Sequence, residues 1–227
     1  MDQVNPERCK LIACAAVVEE MLPSIPSAMS YEILDFGLHT DPKSLKLALQ
    51  NAIDLSAPEI EIILLGYGLC AQAVVGLRSG RRTLIVPRVD DCIAIFLGSA
   101  AEYQKQYSSV PGTYYLTKTW IEFDDTPFSG YDALVERYGE RTARRITNQI
   151  LKNYTRLAFI NTGNDKLESC REYARGMAER FNLCFEEIRG SDAIIKRMLY
   201  GPWDDAEFVI TPPGSTVSFL DFRKDGP

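Results

Sequence analysis

The chain reads as an α/β protein with a mostly parallel, Rossmann-like sheet. Three observations predict it. Seven short apolar runs recur along the 227 residues. Segments with helical spacing separate most of them. Most runs are rich in β-branched or aromatic residues and end in Gly or Pro, as strands buried on both faces of a parallel sheet do.

The first run is Lys10–Ala16, the second Ser30–Gly37, the third Glu59–Gly68 and the fourth Arg82–Arg88. Between the second and third, Asp41-Pro42 places a cap and a proline at a helix start. Leu45, Leu49, Ala52 and Ile53 then recur at helical spacing. After the fourth run, Asp90 or Asp91 caps a helix carrying Ile93, Phe96, Leu97 and Ala100. The later runs are Arg156–Gly163, Leu183–Gly190 and Glu207–Gly214. Asn164 or Asp165 precedes a stripe of Leu167, Cys170, Ala174, Met177 and Phe181. That stripe places Cys170 in a core, and Cys9 and Cys184 are given packing or incidental roles. Ser191-Asp192 precedes Ile194, Ile195, Met198 and Leu199.

One stretch breaks the alternation. PGTYYLTKTWIEFDDTP, residues 111–127, is aromatic and rich in β-formers, and it reads as a hairpin-like β insertion or lid. One or two long helices over 131–154 follow. The organisation expected is an N-terminal α/β half over 1–110, the insertion and long helices over 111–155, and a C-terminal α/β half over 156–227. A two-lobed molecule and a single domain with an insertion both fit.

Composition excludes several classes. Hydrophobic residues make up 46% and charged residues 25%, which rules out a disordered chain. The net charge of -6 opposes nucleic acid, and no dense basic stretch compensates it. The longest apolar run is broken by Gly66, Gly68 and Gln72, so no membrane span is expected. The polar start MDQVNPERCK does not read as a signal peptide. A cytoplasmic protein with reduced cysteines is expected.

In open α/β sheets ligands bind beyond the carboxyl ends of the strands. The first four runs end near Cys14, at Gly37-Leu38-His39, at Gly66-Tyr67-Gly68-Leu69-Cys70 and at Arg88-Val89-Asp90-Asp91-Cys92. The single histidine and three of six cysteines thus fall at one edge. His39, Cys70 and Cys92 are the candidate metal ligands. One imidazole and two thiolates suit Zn²⁺ above other transition metals, and three ligands leave one position for water or substrate. Cys14, Tyr67, Gly68, Arg88, Asp90 and Asp91 are candidate second-layer or substrate-binding residues. Ordinary packing of the cysteines, or a bare reactive thiol, remains the competing reading. Arg88 would neutralise an anionic substrate or pair with Asp90 or Asp91. Gly66-x-Gly68 lacks a third glycine, and Arg88 stands where an acidic ribose ligand would be needed, so no nucleotide is expected.

The stretches LDFGLHTDPKSL, LLGYGLC, VPRVDDCIAIFLGS, PGTYYLTKTW and FVITPPG resemble the DUF1638 family, a domain of unknown function. The resemblance runs from about Leu11 to Gly214. Where the family typically reads His-Asp-Cys, this chain reads Asp90-Asp91-Cys92. The departure removes a potential second histidine ligand, while His39, Cys70 and Cys92 stay in place. The family's association with corrinoid-dependent methyl-transfer genes implies a context in one-carbon metabolism. The motif DxHxxG for carrying a corrinoid is missing from the chain.

Three functions follow as expectations, and whether the chain is an enzyme stays open among them. The first is a cytosolic metal-site protein of methyl-transfer metabolism whose His/Cys/Cys site binds a thiol or a small anionic substrate. The second is a non-catalytic accessory protein that binds a cofactor or a corrinoid methyltransferase partner. The third is a hydrolase or lyase with Cys70 or Cys92 as nucleophile, for which His39 is the only histidine available as a base.

Overall fold

The computed structural model describes residues 4–124, 126–163 and 167–223. The chain divides into two compact units, residues 1–103 with 191–227, and residues 104–190.

The first unit is built on a five-stranded sheet. Its strands are β1 (Cys9–Cys14), β2 (Ser30–Leu34), β3 (Ile62–Gly66), β4 (Thr83–Pro87) and a late strand, Phe208–Thr211. With β5–β7 assigned below to the second unit, this late strand is β8. The order is β2-β1-β3-β4-β8. The first four strands are parallel. Strand β8 pairs antiparallel with β4, Pro87 opposite Phe208 and Leu84 opposite Thr211. The periodicity of an apolar run does not encode its direction, so the sequence reading of this run as another parallel strand fails for β8. An antiparallel edge strand on an otherwise parallel sheet is common.

The strands are apolar because both faces are covered. Ile12, Ile63, Leu65, Leu84 and Val86 are buried against Leu45, Leu49 and Ile53 of α2 (Pro42–Asp54). Asp41 caps that helix by accepting from the N–H groups of Lys43 and Ser44, and Pro42 opens it. The helix α1 (Ala15–Met21) leaves β1 directly, and α3 (Cys92–Leu97) follows β4. Helix α4 (Ala100–Ser109) comes next.

The second unit holds β5 (Thr113–Leu116), β6 (Arg156–Asn161) and β7 (Cys184–Arg189) in the order β5-β6-β7, all parallel. Two of the runs read from the sequence as a C-terminal half, 156–163 and 183–190, therefore join the aromatic stretch in a separate sheet, the first of them pairing with it directly. That stretch is not a hairpin. Among its described residues only 113–116 is a strand, and α5 (Lys118–Glu122) begins at once because the Thr117 side chain accepts from Trp120 N–H. Helices α6 (Tyr131–Tyr138), α7 (Glu140–Ile150) and α8 (Glu168–Arg180) complete this unit. Its core gathers Leu116, Phe128, Tyr131, Phe159 and Phe181. Cys170 is buried there with Leu167 and Ala174, whereas Cys184 is exposed. The cap expected at Asn164 or Asp165 lies outside the described residues. Helix α9 (Ala193–Tyr200) returns the chain to the first unit.

Candidate functional site

Parallel pairing of β1 through β4 sends all four carboxyl ends to one edge of the first sheet, where the loops after the strands gather. Cys14 is the last residue of β1 and the cap position of α1. Tyr67–Cys70 follow β3 in the adjacent position. Residues 88–91 follow β4, and Cys92 opens α3.

The last two loops are laced together. Leu69 N–H donates to Val89 O at 2.8 Å, and Cys70 N–H donates to Asp90 O at 2.9 Å. Gly68 is required by this approach: a Cβ there would lie 2.7 Å from Val89 O and 2.9 Å from Asp91 N. Its role here is a tight backbone contact. Asp91 caps α3, its Oδ1 accepting from Ile93 N–H at 2.9 Å. These contacts fix Cys70 and Cys92 on neighbouring backbones.

The turn beyond Cys70 is unusual. Cys70, Ala71 and Gln72 all have left-handed φ, at 44°, 53° and 68°. Three consecutive non-glycine residues in that region cost roughly 1–2 kcal/mol each for L-amino acids. The Ala73 N–H to Cys70 O bond, 3.1 Å, closes the turn. Strain of this kind concentrates at functional sites, because only a specified geometry maintains it.

Cys14, Cys70 and Cys92 are half-buried free thiols that lie within electrostatic reach of one another. Burial pushes the Cys70 thiol up to about 12, and the charges of Cys14 and Asp91 add to it, while a Gly68 backbone hydrogen bond opposes them. Burial likewise pushes Cys92 well up, reinforced by Cys14, Cys70 and Asp91. Burial raises Cys14 too, opposed by backbone hydrogen bonds at Val17 and Ala16 at the start of α1. Asp91 is raised by burial, with Asp90 adding to it. Tyr67 belongs to the same neighbourhood. It is 3% exposed, and burial, then Cys14, Cys70 and Cys92, raise its phenol. Its hydroxyl is buried without a hydrogen-bond partner among the described residues. A buried hydroxyl ordinarily finds a partner.

His39 is placed differently. It follows β2, next to β1 along the same edge, on a short 3₁₀ turn, Phe36–Thr40. It is exposed, its Nδ1 bonds Phe36 O at 2.6 Å, and its ring rests against that of Phe36 with centroids 4.7 Å apart. A carbonyl only accepts, so Nδ1 carries the proton there. No thiol has His39 among the charges that shift it. Among the described residues, no three His, Cys, Asp or Glu side chains stand as a ready-made metal group. Arg88 turns toward β8, where its Nη2 donates to Phe208 O at 3.0 Å, and no ion pair joins it to Asp90 or Asp91 among the described residues.

Sequence reasoning ranked Cys14 below His39, and it gave the Tyr67 hydroxyl no partner thiols. Strand order is the missing signal. Strand β1 sits between β2 and β3, so Cys14 ends the strand beside β3 whereas His39 follows a strand one place further out. Only spatial pairing shows that.

The fold and edge define an α/β protein whose first sheet presents a thiol-rich carboxyl edge. The chain belongs to the DUF1638 family, a protein family of unknown function, whose sequence profile matches residues 33–199. No curated protein and no solved structure matches the chain. No helix among the described residues is long and apolar enough to cross a membrane.

Proposed function

We propose that the carboxyl edge of the first sheet binds one soft transition metal ion, Zn²⁺ first among them, through Cys14, Cys70 and Cys92, and presents it to a substrate thiol. The carrying observation is that three cysteines, after the adjacent strands β1, β3 and β4, lie within electrostatic reach of one another and of the buried Tyr67. Three thiolates leave a fourth tetrahedral position open, as catalytic sites do. In that position a substrate thiol would lose its proton and be held as a thiolate. The Tyr67 hydroxyl would donate to the incoming sulfur or its counter-group. Ion binding would draw the three sulfurs together from their separate metal-free positions. The methyl-transfer context implied by the family supplies the reaction class in which a bound thiolate accepts a methyl group.

Cys14 takes the place that the sequence gave to His39, because His39 Nδ1 bonds Phe36 O and His39 is not among the charges that shift any of the three thiols. A cysteine-nucleophile hydrolase is the weaker reading. A nucleophilic thiolate needs a neighbouring base or cation. No histidine, lysine or arginine is among the influences on Cys70 or Cys92, and burial holds both protonated.

The test is metal content of the tag-free chain purified anaerobically, with Co²⁺ substitution read by its thiolate charge-transfer absorption. About one ion per chain is expected, lost in Cys14→Ala, Cys70→Ala and Cys92→Ala and retained in His39→Ala. A folded wild-type chain that takes up neither Zn²⁺ nor Co²⁺ contradicts the reading.

A further inference from the structure

A second feature of the first unit lies beside β4 and takes no part in the thiol cluster. A surface cavity of about 210 Å³ is lined by Arg88, Val89, Ser99, Ala101, Ile194, Ala206 and Glu207. Arg88 is the residue just past β4, and its backbone N–H donates to Glu207 O at 2.7 Å. That bond and the Nη2 contact to Phe208 O hold the guanidinium against β8.

The guanidinium is incompletely satisfied. Its Nε and Nη1 are buried and have no hydrogen-bond partner among the described residues. A buried charged donor left unpaired is costly, more so than a neutral one. The carboxylate lining the cavity, Glu207, is already engaged on both oxygens by Arg197: Nη2 donates to Oε1 at 2.6 Å, and Nε pairs with Oε2. Arg88 thus lines the cavity, and the lining leaves no free carboxylate to pair with it.

The surroundings favour an anion further. The first residues of α4, Ala100 and Ala101, line the cavity, and so does Ile194 in the first turn of α9. Helix starts carry unsatisfied N–H groups and a partial positive charge. Glu102 in the first turn of α4 works against that field, so the guanidinium is the principal attraction. The rest of the lining is largely apolar.

From these observations we infer that the cavity is a binding site for a small monoanionic carboxylate bearing a short apolar tail. One unpaired positive charge matches one negative charge. A phosphate dianion would need further cations. Val89, Ile194 and the alanines would cover the tail. A volume of about 210 Å³ admits on the order of seven water-sized groups. The inference does not depend on the metal reading, because none of the three cysteines lines the cavity.

The test is calorimetric titration of the full chain with sodium isobutyrate, alongside sodium chloride and inorganic phosphate. Saturable isobutyrate binding is expected, weakened at least tenfold in Arg88→Gln. Ala206→Leu, which fills the cavity and keeps the guanidinium, should weaken it similarly, and it decides the matter if Arg88→Gln does not fold. Isobutyrate binding no stronger than chloride overturns the inference. So does preference for phosphate, or binding that survives both substitutions.

Discussion

Two arginines, one in each unit, sit at opposite ends of parallel strands and are treated oppositely. Arg156 opens β6 and is 4% exposed. Its Nε donates to Thr113 Oγ1 at 2.8 Å, Nη1 to Glu186 Oε2 at 2.6 Å and Nη2 to Gln106 Oε1 at 3.1 Å. Every nitrogen has a partner from its own unit. Arg88 follows the carboxyl end of β4 and, among the described residues, keeps a partner only on Nη2. The difference teaches where each unit spends its polar groups. At the amino end of a strand, buried charge is closed off by structure. At the carboxyl edge of the first sheet, a guanidinium and a phenol are left incompletely satisfied among the described residues, beside three raised thiols. That is the edge at which α/β sheets bind ligands.

The largest expected effect breaks the comparison from its structural side. Arg156→Ala should cost about 3 kcal/mol in urea unfolding, since it removes three hydrogen bonds and strands their partners. Arg88→Gln should cost less than about 1 kcal/mol, because it removes one bond and an uncompensated charge together. Equal losses would mean that Arg88 is structural and would remove the contrast.

A somewhat smaller effect concerns protonation of a thiol outside the edge. Cys9, at the start of β1, is fully buried, and burial, with Glu61 adding, holds its thiol at about 11 against an ordinary value near 9. The folded state therefore keeps a proton that the unfolded chain gives up first. The stability this confers is complete below about pH 9 and is lost as the pH rises through about 11. Cys9→Ala should escape that loss. Its deficit against wild type should shrink by on the order of 2 kcal/mol between pH 8 and pH 10.5. A deficit constant with pH would show that Cys9 does not carry the term.

The left-handed turn sharpens the comparison further. Ala71 is exposed and has a φ of 53°. Ala71→Gly should stabilise the chain by about 1 kcal/mol, because glycine adopts this region without strain, less its greater chain entropy. A destabilisation would show that the turn is not strained. A comparable control in the second unit is Cys170→Ala, expected to cost about 1 kcal/mol by leaving a small cavity, with no effect on metal content.

Much of the architecture was legible. Continuous apolar runs such as Ile62–Gly66 mark strands covered on both faces, and Asp41-Pro42 and Asp91 mark helix starts where the side chains do cap. Direction and partnership were not, because a strand's hydrophobic pattern records burial alone. Phe208–Thr211 looks like any buried strand yet runs antiparallel, and Arg156–Asn161 pairs with Thr113–Leu116 and not with the first sheet. The candidate edge was legible to the same degree. Position after a strand placed Cys14, Cys70, Cys92 and Arg88 at one edge correctly. Strand order, which the sequence does not carry, sets Cys14 on the strand beside β3, and His39 rests against Phe36. The direction of the Arg88 side chain depends on β8, whose antiparallel course the sequence does not encode.

The central claim, that the thiol-rich edge holds one soft metal ion, is tested most directly by X-ray absorption at the zinc edge of the zinc-loaded, tag-free chain. The account predicts three sulfur neighbours at about 2.3 Å and one lighter neighbour at about 2.0–2.1 Å, the latter replaced by a fourth sulfur when a small thiol is added. Zinc surrounded only by nitrogen and oxygen would contradict it.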